Sequence, residues 1–215
     1  MSGAAQRGRF ITLEGGEGTG KSTNIGFVEA QLRAAGVDLV VTREPGGTVL
    51  AERIRHILVS HADESLPATA ELLLVFAARS VHLENLIRPA LAAGRWVLSD
   101  RFTDATYAYQ GAGRGLDVEL IRTLESSVQG QLRPDLTLLL DCDPRVGLAR
   151  AGERGAADRF EAERLDFFTR VRRGYLARAQ GEPRRFRVVD ASRPLEAVQQ
   201  DLSRHIKDFI QLNDK

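Results

Sequence analysis

The segment FITLEGGEGTGKST, from Phe10 to Thr23, concentrates residue types suited to chemistry. An apolar run gives way to Gly15, Gly16, Gly18 and Gly20, with Glu17 and Thr19 between them, and then to Lys21, Ser22 and Thr23. The spacing Gly15-x4-Gly20-Lys21-Ser22 is that of a phosphate-binding loop. Glycines let the backbone curl until several N–H groups converge on phosphate oxygens, and the helix that follows adds its positive N-terminal end. Lys21 can reach the β- and γ-phosphates of a nucleotide, and Ser22 can ligate magnesium. An apolar strand pattern precedes the loop and a helical pattern follows, as the motif requires. The motif indicates nucleotide binding and does not separate a kinase from a switch or a motor. Glu17 is its odd member, because a carboxylate beside a polyphosphate is unfavourable unless it faces elsewhere. It can turn to a sugar hydroxyl, to a magnesium-bound water, or to solvent.

Other segments suggest a second substrate. TREPGGT, 42–48, makes a turn at Pro45-Gly46-Gly47 that leaves Arg43 and Glu44 near a strand end. Arg55 follows on the next helical pattern. In ELLLVFAARSVHL, 71–83, Phe76 and Arg79 are three apart and share a helix face. There a ring can stack on a base while a guanidinium donates to a base carbonyl; a core phenylalanine beside a surface arginine has the same spacing. SDRFTDATYAYQGAGRG, 99–115, offers Asp100 for magnesium, directly or through water, and Arg101 as a bidentate phosphate clamp. Thr106, Tyr109 and Gln110 add hydroxyl, phenol and amide within about one helical turn. A strand-end ion pair and a capped surface helix are the plainer readings of these residues.

These groups need a frame. Five nearly continuous apolar runs, 9–14, 37–42, 95–100, 135–141 and 185–190, suit parallel strands covered on both faces. Helical patterns lie at 21–35, 49–60, 67–93, 117–130, 144–151, 161–180 and 194–211. The alternation predicts an α/β fold of three layers, with a five-stranded parallel sheet flanked by helices. Several runs end in Glu14, Asp100, Asp141 or Asp190, at the carboxyl edge where such sheets bind ligands. RAGERGAADRF, 150–160, reads as a mobile flap or a static charged loop, within a small lid over about 149–161.

At 215 residues the chain is expected to form a single domain, 1–215, with residues 1–8 a flexible tail. A net charge of +1 gives no global field for nucleic acid. Cys142 is the sole cysteine, which excludes an internal disulfide, a four-cysteine zinc site and a redox pair; it reads as a small buried residue. The start lacks the apolar core of a secretory signal, and no apolar run approaches the ~20 residues of a membrane helix. The expected location is cytoplasmic, with no membrane partner. No NKxD segment is present, which argues against a GTP-dependent switch; an ATP-binding assembly subunit is disfavoured by Arg79, Arg101 and the flap.

Taken in order, the phosphate loop, REPGGT, FAARSVH, SDRF…YAYQG, LLLDCDP and DRFE…DFF resemble the thymidylate kinase family across nearly the whole chain. The resemblance implies transfer of the ATP γ-phosphate to dTMP, giving dTDP and ADP on the route to dTTP, with Mg2+ and a homodimer. It makes Gly15 to Thr23 the ATP-binding stretch. By position, Arg79 resembles the arginine that reads the thymine carbonyl and Phe76 the stacking aromatic. Thr106 faces the base, Tyr109 underlies the deoxyribose, and Gln110 is a base-side contact. Arg55 and Arg101 resemble the monophosphate clamps, with Glu44 nearby, and Glu17 approaches the 3′-hydroxyl. The loop lacks an arginine of its own. Arg150, Arg154 and Arg159 in the flap resemble the bacterial pattern in which the lid supplies catalytic charge, with Arg154 and Arg150 the catalytic candidates beside Lys21 and Arg101. Phe102 departs from the tyrosine or histidine common after the Asp-Arg pair.

Overall fold

A computed structural model describes residues 7–60, 64–152, 159–160 and 163–213. The strands are β1 (Phe10–Gly15), β2 (Leu39–Arg43), β3 (Trp96–Asp100), β4 (Leu136–Asp141) and β5 (Phe186–Asp190). All are parallel, in the order β2-β3-β1-β4-β5. Each lies within two residues of an apolar run in the sequence. The phosphate-loop strand β1 is central, between β3 and β4, so its carboxyl end opens at the point where the strand order reverses.

Side-chain alternation divides the core into two faces. Ile11, Leu13, Leu98, Leu138, Leu140 and Val189 point to one side and pack on α1 (Lys21–Ala34) and α9 (Leu195–Asn213). Phe10, Val97, Leu139 and Phe186 point to the other. That side is covered by residues 83–92, α5 (Thr103–Thr106) and α8 (Leu165–Gly181); α3 (Ala68–His82) leads into the first of these, with α2 (Val49–Val59) and α6 (Val118–Gln129) packed against α3. Full burial of each large apolar side chain is worth about 1.5–3 kcal/mol. Cys142 is free and buried in the first cluster, where burial pushes its thiol pKa up, in line with the packing role expected of it.

The single helix expected over 67–93 is interrupted. After α3 comes a π-helical turn, Leu83–Ile87, and then α4 (Arg88–Ala92). Pro89 at the start of α4 has no N–H to donate, and its ring crowds the carbonyl four residues back; the wider turn accommodates both. A second π-helical segment, Tyr107–Gly113, follows α5, and it is buried rather than a surface helix. Arg7 and Gly8, read from the sequence as part of a flexible tail, are tied to the fold: Gly8 N donates to Leu91 O at 2.9 Å, and Arg7 pairs with Asp135. Of the anticipated lid, α7 (Pro144–Gly152) carries Arg150, and Arg159 and Phe160 are described; Arg154 lies outside the described residues.

Candidate functional site

The phosphate loop leaves β1 and enters α1, as its sequence requires. Gly18, at φ 66°, rests against Gly147 of α7. A Cβ on Gly18 would stand 1.7 Å from Gly147 O, and one on Gly147 would stand 2.3 Å from Glu17 O. The loop therefore sits backbone to backbone on the helix that leads to Arg150. Thr19 Oγ1 donates to Gly16 O at 3.0 Å, and Lys21 Nζ reaches back to the same carbonyl at 2.7 Å. Burial and then the neighbouring Arg101 guanidinium lower the Lys21 pKa, opposed by Glu17, Asp100 and Glu14. Ser22 and Thr23 are exposed on the first turn of α1.

At the end of β3, Arg101 adopts a left-handed conformation, φ 68°, unusual for a residue with a side chain. Such a residue costs about 1–3 kcal/mol and persists where its surroundings over-determine it. Ser99 Oγ donates to Arg101 O at 2.7 Å, and Phe102 N donates to Glu14 Oε1 at 2.7 Å. The turn swings the guanidinium over the phosphate loop. Nη1 donates to Gly15 O (2.8 Å) and Tyr175 Oη (3.0 Å), and Nη2 to Glu17 Oε1 (2.7 Å); the group also lies 4.7 Å from the centre of the Tyr109 ring. Glu17 thus faces neither solvent nor the phosphate cradle. It is held by Arg101 and by the Tyr109 hydroxyl at 2.8 Å. The ion pair of Arg101 is with Glu17 rather than its neighbour Asp100, whose Oδ1 is buried with no hydrogen-bond partner among the described residues.

Beyond this lies a cavity of about 230 Å³. Glu17, Lys21, Ser22, Asp100 and Arg101 line one part of it; Glu44, Arg55, Arg79, Thr106, Tyr109 and Gln110 line the rest. Arg55 is braced by Pro45 O at 2.9 Å. Arg79 is 2% exposed and fixed on two sides: Nε donates to Glu44 Oε2 at 2.7 Å, and Nη2 to Thr106 Oγ1 at 2.9 Å. Its Nη1 is buried with no hydrogen-bond partner among the described residues. Glu44 lines the cavity with Arg55 and Arg101, and its carboxylate is bound by Arg79 and by His82 Nδ1 at 3.0 Å, so it anchors the arginine.

Two expected residues stand elsewhere. Phe76 does not reach the cavity wall; it packs with Leu72, Tyr107 and Ile121, its ring centre 4.9 Å from the Arg79 guanidinium. Arg150 donates to Ala191 O (2.8 Å) and Ser192 O (3.2 Å), away from this cavity. Two acids support the site: Glu14, marked in the sequence only as a strand-end acid, and Glu71, which carried no signal there. Glu14 accepts from Tyr175 Oη at 2.8 Å as well as from Phe102 N, and Glu71 is a second buried acid, bonded to Gln110. Their partners lie many residues away along the chain.

A phosphate cradle meeting a pocket walled by Arg79, Thr106 and Gln110 suits a nucleotide donor facing a second, smaller nucleotide. The thymidylate kinase family profile matches residues 13–202. The chain belongs to the thymidylate kinase family. It is 63% identical over 195 residues to the thymidylate kinase of Pseudomonas putida strain GB-1, covering 91% of this chain and 93% of that one. To the thymidylate kinase of Teredinibacter turnerae it is 57% identical over 203 residues, covering 94% and 99%. The crystal structure of thymidylate kinase from Ehrlichia chaffeensis superposes with a TM-score of 0.75 at 32% identity, over 94% of this chain and 99% of that one. The five-stranded parallel sheet and its helices are therefore those of a thymidylate kinase.

Proposed function

We propose that this chain transfers the γ-phosphate of ATP to dTMP, giving dTDP and ADP. The observation that carries the base assignment is the Arg79 Nη1 donor, buried and without a partner among the described residues at the wall of a cavity that Lys21 and Arg101 also line. A thymine carbonyl would accept from it. Gln110 has its Nε2 bound by Glu71, which leaves the amide oxygen for the thymine ring N–H. Tyr109, held by Glu17, fits beneath the deoxyribose, and Arg55 and Arg101 suit the monophosphate.

The chemistry asks little covalent help of the protein. An oxygen of the dTMP phosphate forms the new bond to the γ-phosphorus, and the bond to the bridging oxygen of ADP breaks. A phosphate monoester with a second pKa of ~6 is already ionised near neutral pH, so no general base is needed. What remains is alignment and charge. Lys21 supplies charge at the loop and Arg101 bridges loop and acceptor side. Arg154 and Arg150 remain our candidates for charge brought by the lid.

Ser22 and Asp100 fit magnesium. Both offer hard oxygen donors on the cavity, and the buried Asp100 Oδ1 lacks a protein partner among the described residues. Among the described residues no cluster of three His, Cys, Asp or Glu side chains could hold a metal by itself, so the ion would share its shell with nucleotide phosphates and water. Bound there, it would neutralise charge on the phosphates. The family reading carries a homodimer with it; Val49, Leu50 and Ile57 on α2 and Leu73 on α3 expose large apolar surface that a second copy would cover. With nucleotides as substrates we assign a cytoplasmic location; no helix among the described residues is long and apolar enough to cross a membrane.

The test is ADP release from ATP with a panel of monophosphates. dTMP should be the best acceptor, with dCMP disfavoured because its amino group meets Arg79 donor to donor. Equal efficiency for the two would rule out this pocket assignment.

A further inference from the structure

Glu71, in the first turn of α3, is fully buried and is not among the residues lining the cavity. Its carboxylate nevertheless joins three segments. Oε1 accepts from Gln110 Nε2 at 2.8 Å, and Oε2 from Arg159 Nη2 at 2.6 Å. Arg114 Nε lies 3.3 and 3.2 Å from the two oxygens. Gln110 is 3% exposed and does line the cavity.

The two ends of a glutamine amide have nearly the same shape and opposite chemistry: one accepts and the other donates. Which end faces a ligand is decided by whatever holds the other end. A carboxylate accepts only. Flanked by two guanidinium groups, Glu71 can take only the NH2 end of Gln110, which leaves the amide oxygen for the cavity. We propose that Glu71 is a positioning residue that fixes the polarity of Gln110 and, through it, the choice of base.

The proposal rests on the reading of this cavity as the acceptor-base pocket. The thymine ring presents an N–H where cytosine presents a bare nitrogen acceptor. An amide oxygen satisfies the first and repels the second, and a turned amide does the reverse. Arg79 discriminates on the neighbouring exocyclic group, so the two contacts act in the same direction on adjacent atoms. Glu71 discriminates without touching the nucleotide.

The experiment measures kcat/KM for dTMP and for dCMP in wild type, Glu71→Gln, Gln110→Ala and the double variant. Wild-type turnover of dTMP tests the functional reading first: its absence would refute that reading independently of Glu71. In Glu71→Gln the side chain at 71 can keep its oxygen toward the arginines and offer its NH2 to Gln110, which then turns. The dTMP/dCMP ratio should fall about ten- to a hundredfold, the range for one mispaired buried hydrogen bond. In the Gln110→Ala background the same change should leave the ratio unaltered, because the group that Glu71 orients is gone. A ratio within about twofold of wild type in Glu71→Gln overturns the proposal. So does an equal fall with and without Gln110, which would assign the effect to packing. If Glu71→Gln alone does not fold, pairing it with Arg159→Gln removes a cation with the anion. Any effect of Arg159 on transfer falls on both nucleotides and cancels in the ratio.

Discussion

Glu14 lies beneath the site and offers a quantitative test of how Arg101 is supported. Its carboxyl is fully buried at the end of β1, accepting from Phe102 N and Tyr175 Oη. Burial, and then the nearby Asp104 carboxylate, raise its pKa from the ordinary 4.5 to about 8, against the opposing pull of Arg101 and the two hydrogen bonds. Below pH 4.5 the group is protonated whether the chain is folded or not, and it carries no penalty. Between 4.5 and about 8 the unfolded chain has released this proton while the folded one retains it, so stability falls as pH rises. Above that window the penalty is complete, at ~5 kcal/mol. Glu14→Gln is neutral throughout and lacks this dependence. Urea unfolding of both proteins at intervals from pH 5 to 8.5 isolates it, because every other titrating group is common to the pair. The variant should gain on wild type by about 1.4 kcal/mol per pH unit inside the window. A wild-type-minus-variant difference that stays constant within about 0.5 kcal/mol would refute the reasoning. Glu14 would then be a carboxylate held by its hydrogen bonds and Arg101.

Lys21→Ala should leave the fold intact, since among the described residues the ammonium bonds only a loop carbonyl, and should lower kcat by roughly 10²–10³-fold; near-normal turnover in a folded variant removes the phosphate role. For the lid, Arg154→Ala should lose ~10³-fold in single-turnover transfer at saturating ATP and dTMP, with smaller losses for Arg150→Ala and Arg159→Ala. Three near-normal chemical rates would return the search for that charge to Arg101.

The frame was legible because its signals are local. Apolar runs bounded by loop residues located all five strands, and Gly15 to Ser22 located the phosphate loop without help from anything distant. The break in the long helix was less visible, since Pro89 can end a helix as well as widen one. Phe76 and Arg79 share a helix face as their spacing requires, but spacing alone does not say which of the two meets a cavity. The partners of the supporting acids were illegible for a different reason. Glu71 is bound by residues 39, 43 and 88 positions away, and Glu14 by residues 88 and 161 away. The strand-end position marked Glu14 and nothing marked Glu71, and in neither case does the sequence name the partners that the fold assembles. The same holds for Arg101, whose left-handed backbone depends on Glu14 from another strand.

The contact between Gly18 and Gly147 bears on how this protein could be engineered. Replacing a helical glycine by alanine is a standard stabilising change, worth about 1 kcal/mol in a helix interior. Gly147, inside α7, invites it. There the added methyl would meet the carbonyl of Glu17 at 2.3 Å and force the phosphate loop and α7 apart. Propensity gained in the helix would be lost as register between α7 and the loop that carries Lys21. A thermostabilisation library should therefore hold position 147 fixed, together with position 18, as one unit of two facing backbones.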